Sequence, residues 1–155
     1  MPVSLDTIDK KVLSLLQEQG RLSNAQLAKE VGLSAPSMLE RVRKLEKNGV
    51  IKKYVALVDP KEVGQGITAF VSVSLRLHQK EEIEAFVEEV RQIPEVLECH
   101  HVSGEADYLM KVVSRDIEHY EKFLLGKLTH FKVISRIHTS FILKSLKQET
   151  TIPVA

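Results

Sequence analysis

The chain has 155 residues, of which 43% are hydrophobic and 28% charged, and its formal net charge is +1 at neutral pH. That composition is ordinary for a globular protein, leaves room for one domain or two small ones, and excludes a strong global attraction to nucleic acid or membrane. Its charge is nonetheless unevenly spread: residues 1–65 carry a net +3 and residues 66–155 a net −2, with most of the basic excess between Lys29 and Lys53.

Cys99 is the only cysteine, so neither an intrachain disulfide nor a cysteine-based zinc finger is available, and a reducing cytoplasm is the expected compartment. No apolar run approaches the ~18 residues of a membrane span, and the stretch MPVSLDTIDKK has no signal-peptide core, so a membrane is not an expected partner.

At the start of the chain, Leu5, Ile8, Val12, Leu15 and Leu16 form a helical stripe that opens at a capping Asp6 and closes before Gly20. The next stretch, SNAQLAKEVGLSAPSMLERVRKLEKNG from Ser23 to Gly49, holds two short amphipathic patterns around a tight turn. Ser23 and Gln26 have capping-box spacing, and Leu27, Ala28 and Val31 share a face. Gly32 tolerates the positive φ at which that helix stops. Ser34 then caps a second helix with Pro36 in its first turn and Met38, Leu39, Val42 and Leu45 inward. The pattern is a helix-turn-helix backed by the first helix. Once the apolar face is assigned to a core, Ser37, Glu40, Arg41 and Lys44 share a flank, with Arg43 and Lys47 nearby. Serine, arginine and glutamate contact base edges and lysines neutralise phosphates, so Ser34, Pro36, Ser37, Glu40, Arg41, Arg43, Lys44 and Lys47 are the expected face for double-stranded DNA.

After Gly49, VIKKYVALVDP reads as a short strand from about Val50 to Val58, a wing or a connector, with Lys52 and Lys53 open to phosphates. DPKEVGQG, residues 59–66, reads as a linker. ITAFVSVSLRLH then alternates with a period of two, a half-buried strand. From Glu81 the period becomes helical, with Ile83, Phe86, Val87 and Val90 on one face until Pro94. VLECHHVS and DYLMKVVS form a hairpin about Gly104-Glu105-Ala106. A helix from Asp116 turns Ile117, Tyr120, Phe123, Leu124, Leu128 and Phe131 inward, and Gly126 marks a weak point in it. A last strand runs from about Val133 to Leu146.

The expected fold is therefore α+β: a winged-type helix-turn-helix domain over residues 1–58, the linker over 59–66, a ferredoxin-like βαββαβ domain over 67–148, and a patternless tail over 149–155. An antiparallel sheet with both helices on one side leaves its other face open, and a second copy of the sheet is the expected cover. The resulting homodimer brings two recognition helices onto one two-fold axis, the arrangement that reads a pseudo-palindrome.

The run LERVRKLEKNGVIKKYVALVDP, the hairpin ECHHVSGEADYLMKV and this element order together resemble the Lrp/AsnC family, the leucine- and asparagine-responsive "feast/famine" transcriptional regulators. The resemblance extends from Leu5 to about Gln148 and is nearest to the leucine-responsive branch in LSAPSMLERVRKLE. It implies assembly through the C-terminal domain into dimers and higher homo-oligomers such as octamers, bending of DNA, and a small effector, usually an amino acid. In the family that effector lies by the loop between the second and third strands. Carried onto this chain, the implied residues are Ser103, Gly104, Glu105, Ala106, Asp107 and Tyr108, with His101 nearby and Thr139 and Ser140 from the last strand. Backbone N–H groups around Gly104 and the two hydroxyls suit a carboxylate, and Glu105 or Asp107 suits an ammonium. The plainer alternative is that Gly104 permits the turn and Asp107 bonds to its own backbone.

No enzymatic activity, metal or cofactor is expected. His100 and His101 point to opposite faces of a strand and cannot chelate one ion together, Cys99 reads as a small core residue, and no nucleophile-base pair or phosphate loop stands out. Two rivals remain: a tetrapyrrole enzyme similar to siroheme decarboxylases, which share both domains, and a DNA-organising protein without an effector.

Overall fold

The computed structural model describes residues 3–76 and 80–154. They form two compact units, one running as far as Leu57 and including the chain from Lys147 onward, the other spanning Val58–Leu146.

In the first unit, α1 (Thr7–Glu18) begins at Asp6, whose carboxylate accepts from the backbone N–H of Asp9 while Asp9 reciprocates. The second helix, α2 (Asn24–Val31), has the same reciprocal cap from Ser23 and Gln26, and stops at Gly32 with φ 72°. The third, α3 (Ala35–Lys47), is capped by Ser34 with Pro36 in its first turn. Each cap satisfies N–H groups that a helix start would leave orphaned, which fixes the helix boundaries where the spacing placed them. Val12, Leu13 and Leu16 from α1, Leu27 and Ala28 from α2, and Met38, Val42 and Leu45 from α3 make one buried cluster. None of these short helices is stable alone; burial of this shared stripe holds them together.

The strand expected over residues 50–58 does not form. Val50 and Ile51 fold back onto the helical core, and the chain from Lys52 to Asp59 joins no sheet. Local β-propensity is not sufficient for a strand without a neighbour to complete its hydrogen bonds, and this stretch has none among the described residues. Tyr54, Val55, Leu57 and Val58 are consequently exposed.

The tail, by contrast, is docked. The side-chain amide of Gln17 donates to the carbonyl of Ile152 (3.0 Å) and accepts from its N–H (2.7 Å), and Val154 packs against the helical core. Periodicity does not reveal this docking, because the groups of Ile152 that bind Gln17 are backbone.

The second unit is a four-stranded sheet in the order β2-β3-β1-β4, all pairs antiparallel, formed by β1 (Ile67–Leu75), β2 (Val96–His101), β3 (Tyr108–Ser114) and β4 (Ile134–Phe141). Helices α4 (Lys80–Arg91) and α5 (Ile117–Phe123) complete the βαββαβ order. Leu77 and His78, expected at the end of the first strand, lie outside the described residues. Ala69, Val71, Val73 and Leu75 alternate into a core with Phe86, Met110, Val112 and Phe123. Gly66 meets the backbone so closely that a Cβ there would lie 2.8 Å from the carbonyl oxygen of Arg115.

Two elements end earlier than their patterns suggest. The α-helix of α5 gives way to a π turn over Leu124–Leu128, the stretch that contains Gly126, where the N–H of Thr129 reaches back five residues to Leu124. The last strand leaves the sheet at Phe141, and Leu143 and Leu146 beyond it are almost wholly exposed.

Strand register sets which side chains lie on the sheet face away from the helices. Phe70 stands opposite Lys111 and Ser140, Ser72 opposite Leu109 and His138, and Ser74 opposite Arg136. Phe141 lies on the helix side, edge-on to Tyr120. Cys99 is not a core residue: it sits exposed on β2, an edge strand without a second neighbour to cover it.

Candidate nucleic-acid interface and ligand cleft

The turn between α2 and α3 is short because Gly32 reverses the chain and the N–H of Leu33 bonds to the carbonyl of Ala28 (2.9 Å). Ser34 then restarts the helix. Its hydroxyl accepts from the N–H of Ser37 and pairs with the Ser37 hydroxyl at 2.8 Å. With Met38, Val42 and Leu45 inward, the helical period turns Pro36, Glu40, Arg43, Lys44 and Lys47 to the opposite side, and all five are exposed, as are Ser34 and Ser37. Arg43 pairs with Glu40 at 3.2 Å on the surface, while Lys44 and Lys47 lie in the last turn of α3.

Arg41 is placed differently from its sequence neighbours. It follows Met38 by three residues and precedes Leu45 by four, so it borders the buried stripe. There its guanidinium reaches Asp6 Oδ2 at 2.7 Å and Asp9 Oδ1 at 2.6 Å. It ties α3 to the start of α1. The N–H of Asp9, and then Arg41, hold the Asp6 carboxyl below the usual carboxylate range.

In the second unit the turn joining β2 to β3 stands over the open face of the sheet beside a cleft of about 570 Å³. Ser103, Glu105 and Ala106 line it from the turn, together with Val102. Its floor is Ser72 and Ser74 of β1, Leu109 of β3, and Arg136 and His138 of β4. Gly104 forms the tip of the turn, with φ 132°.

The other sequence-expected ligand residues lie elsewhere. Asp107 clasps the sheet: its carboxylate accepts from the N–H of Leu75 (2.7 Å), its own N–H donates to Val73, and its carbonyl accepts from Val102. Tyr108 is buried on the helix side against Phe86, with His101 stacked on it at 5.2 Å. Thr139 also faces the helices, bonded to the Tyr120 hydroxyl, whereas Ser140 faces the other way. Adjacent strand residues point to opposite faces, so Thr139 and Ser140 cannot serve one site from one strand. The same alternation, applied to β4, identifies the residues that sequence reasoning missed: Arg136 and His138 share the open face with Ser140.

Among the described residues no group of three or more His, Cys, Asp or Glu side chains is placed to hold a metal ion, and no helix is long and apolar enough to cross a membrane.

A capped helix-turn-helix with an exposed basic flank, carried on the same chain as a ferredoxin-like domain with a cleft of mixed polar and apolar lining, defines a DNA-binding protein with a separate ligand-binding domain. Residues 5–52 match the winged helix-turn-helix DNA-binding family and residues 68–152 match the Lrp/AsnC ligand binding domain. The chain belongs to the Lrp/AsnC family of transcriptional regulators. It is 35% identical to the transcriptional regulator AzlB of Bacillus subtilis, over 99% of this chain and 98% of that one. It is 37% identical to the leucine-responsive regulatory protein of Escherichia coli, over 97% and 92%. Among solved structures, the Neisseria meningitidis transcriptional regulator NMB0573 in complex with L-Met superposes with a TM-score of 0.91 at 39% identity, over 97% of each chain. The relatives named here are transcriptional regulators, and the chain is a DNA-binding regulator of this kind.

Proposed function

We propose that the chain regulates transcription by seating α3 in the major groove of operator DNA as a homodimer or larger homo-oligomer in the cytoplasm, and that an amino acid in the cleft shifts its assembly and DNA affinity. The observation that carries the DNA reading is the outward face of α3: Ser37 and Glu40 toward its first turns and Lys44 and Lys47 toward its end, all exposed on a helix with both neighbours locked by caps. The solved relative's L-Met supports an amino acid as the effector class. The cleft is large enough for an amino acid, and hydroxyls, a carboxylate, a guanidinium and an imidazole line it together with Leu109 and Val102.

Assembly is supported by the open sheet face, where Phe70 remains 39% exposed beside Leu109. The cleft lies on that same face. A ligand there borders the surface that a second copy covers, so it binds one assembly better than another and must shift DNA affinity by the same coupling free energy.

A thermal-shift screen against the twenty amino acids tests the effector, since a ligand of the folded state raises the midpoint with occupancy. Fluorescence anisotropy on operator DNA tests the docking face. Lys44→Ala with Lys47→Ala should weaken binding on every sequence and reduce the slope of log affinity against log salt by about two. An unchanged slope removes α3 from the phosphates.

A further inference from the structure

One carbonyl in the cleft, that of Glu105 at the β2–β3 turn, receives two hydrogen bonds from the sheet floor. Arg136 Nη2 donates to it at 3.3 Å and Ser74 Oγ at 3.4 Å. Both are long, and together they pin the tip of the turn to β1 and β4. Ser74 and Arg136 are register partners across those strands, so the two donors rise from adjacent points of the sheet. Across the hairpin, Asp107 fixes the base of the turn by two hydrogen bonds to β1, at Leu75 and Val73, and a third to Val102, whereas around Gly104 nothing approaches the position a Cβ would take. The tip is thus held mainly by Arg136 and Ser74, on a base tied down by Asp107.

Arg136 is an unusual choice for this pin. A guanidinium has five N–H donors in a planar fork, and here it offers one of them at long range to a neutral carbonyl. Among the described residues no carboxylate pairs with it, although Arg41, Arg43, Arg91 and Arg115 all have acidic partners. It is exposed on the floor of a cleft otherwise lined by Ser72, Ser74, Ser103, Glu105, His138 and apolar side chains.

We propose that Arg136 is both the carboxylate receptor of the effector and the latch of the β2–β3 turn, so that a zwitterionic amino acid binds by inserting between Arg136 and the Glu105 carbonyl. This rests on the amino-acid reading of the cleft given above. The ligand's carboxylate takes the Arg136 fork as a two-bond ion pair, in place of a single long bond from the guanidinium to a neutral carbonyl. The freed carbonyl of Glu105 then faces the ligand's ammonium and accepts from it, so each half of the broken hydrogen bond meets the end of the zwitterion it prefers. No proton is transferred and no covalent bond changes. The turn must lift from the sheet to admit the ligand, and the latch between turn and floor is replaced by a latch through the ligand. A ligand lacking either charged end leaves one half of the pair unmatched. Selectivity for a free amino acid over its amide or its N-acyl derivative follows.

The test is calorimetry with L-methionine, L-methioninamide and N-acetyl-L-methionine on the wild-type chain, R136Q and R136K, with hydrogen exchange read over residues 103–107. L-methionine should bind the wild type and be weakened at least ~10-fold by R136Q, with partial rescue in R136K; both derivatives should bind the wild type at least ~10-fold more weakly than L-methionine. Ligand-free R136Q should also exchange faster than wild type in the turn, at an unchanged unfolding midpoint. Binding of L-methionine to R136Q within twofold of wild type, or equal turn exchange in the two free proteins, overturns the role of Arg136 and leaves the effector reading standing. If the wild type binds none of the twenty amino acids, the effector reading falls and the receptor role with it.

Discussion

Arg41 and Lys44 are neighbours on one flank of α3, yet only Lys44 presents its charge to solvent. Arg41 bridges two carboxylates at the start of α1, so its effect on DNA affinity should be indirect. Arg41→Ala is expected to lower the thermal midpoint of the DNA-binding unit while leaving the salt slope of DNA binding unchanged, read by calorimetric unfolding and anisotropy. Acid should act through the same contact. Asp6 titrates lower in the folded chain than in the unfolded one, so its stabilisation is complete above the ordinary carboxylate range, near 3.8, and drains as pH falls through and below it. Asp116, held down by the N–H and then the ring of His119, has the same sign in the other unit. Asp6→Asn should flatten the acid limb of the first unit's stability curve. At this scale the helical period was legible in the sequence and Arg41's partner was not. Positions 37, 40, 41 and 44 share a flank whatever the tertiary structure, but whether the inner margin of that flank meets DNA or α1 depends on where Asp6 and Asp9 come to lie. Thr139 lies away from the cleft for a simpler reason: strand alternation turns it to the helix side, opposite to Ser140.

Among the elements, caps and periodicity were read well because their causes are local. Asp6, Ser23, Ser34 and Asp116 each cap the helix their spacing announced. The strand that does not form over 50–58 and the docking of a patternless tail have a common origin, since both depend on what lies alongside. The tail is held by the Gln17 amide, which satisfies both backbone groups of Ile152, and by Val154 against the helical core. Gln17→Ala removes two hydrogen bonds and should cost the DNA-binding unit about 1–2 kcal/mol, with faster proteolysis after Lys147 as the sensitive readout. Protection equal to wild type means the tail is held by Val154 alone.

For the molecule as a whole, the element order was the most legible feature, because βαββαβ follows from alternating periods of two and 3.6 without knowledge of any contact. The assembly proposed above would use the sheet face that those elements leave uncovered. Phe70, at the centre of that face between Lys111 and Ser140, is its largest apolar side chain. Phe70→Glu should convert a dimer to monomer in sedimentation and weaken operator binding through lost bivalency, with the fold intact by circular dichroism. A dimer that survives this change is built on another surface.

The return of residues 147–154 to the first unit makes the ligand-binding domain, in chain topology, an insertion within the DNA-binding domain. Synthesis therefore delivers the three helices first and their last packing piece only after the whole sensor has left the ribosome. The helices emerge able to fold, but the strap that completes them arrives behind the domain that governs them. A truncated product that lost only its final residues would keep its recognition helix and its cleft, and yet the two would be joined by a single connection instead of two.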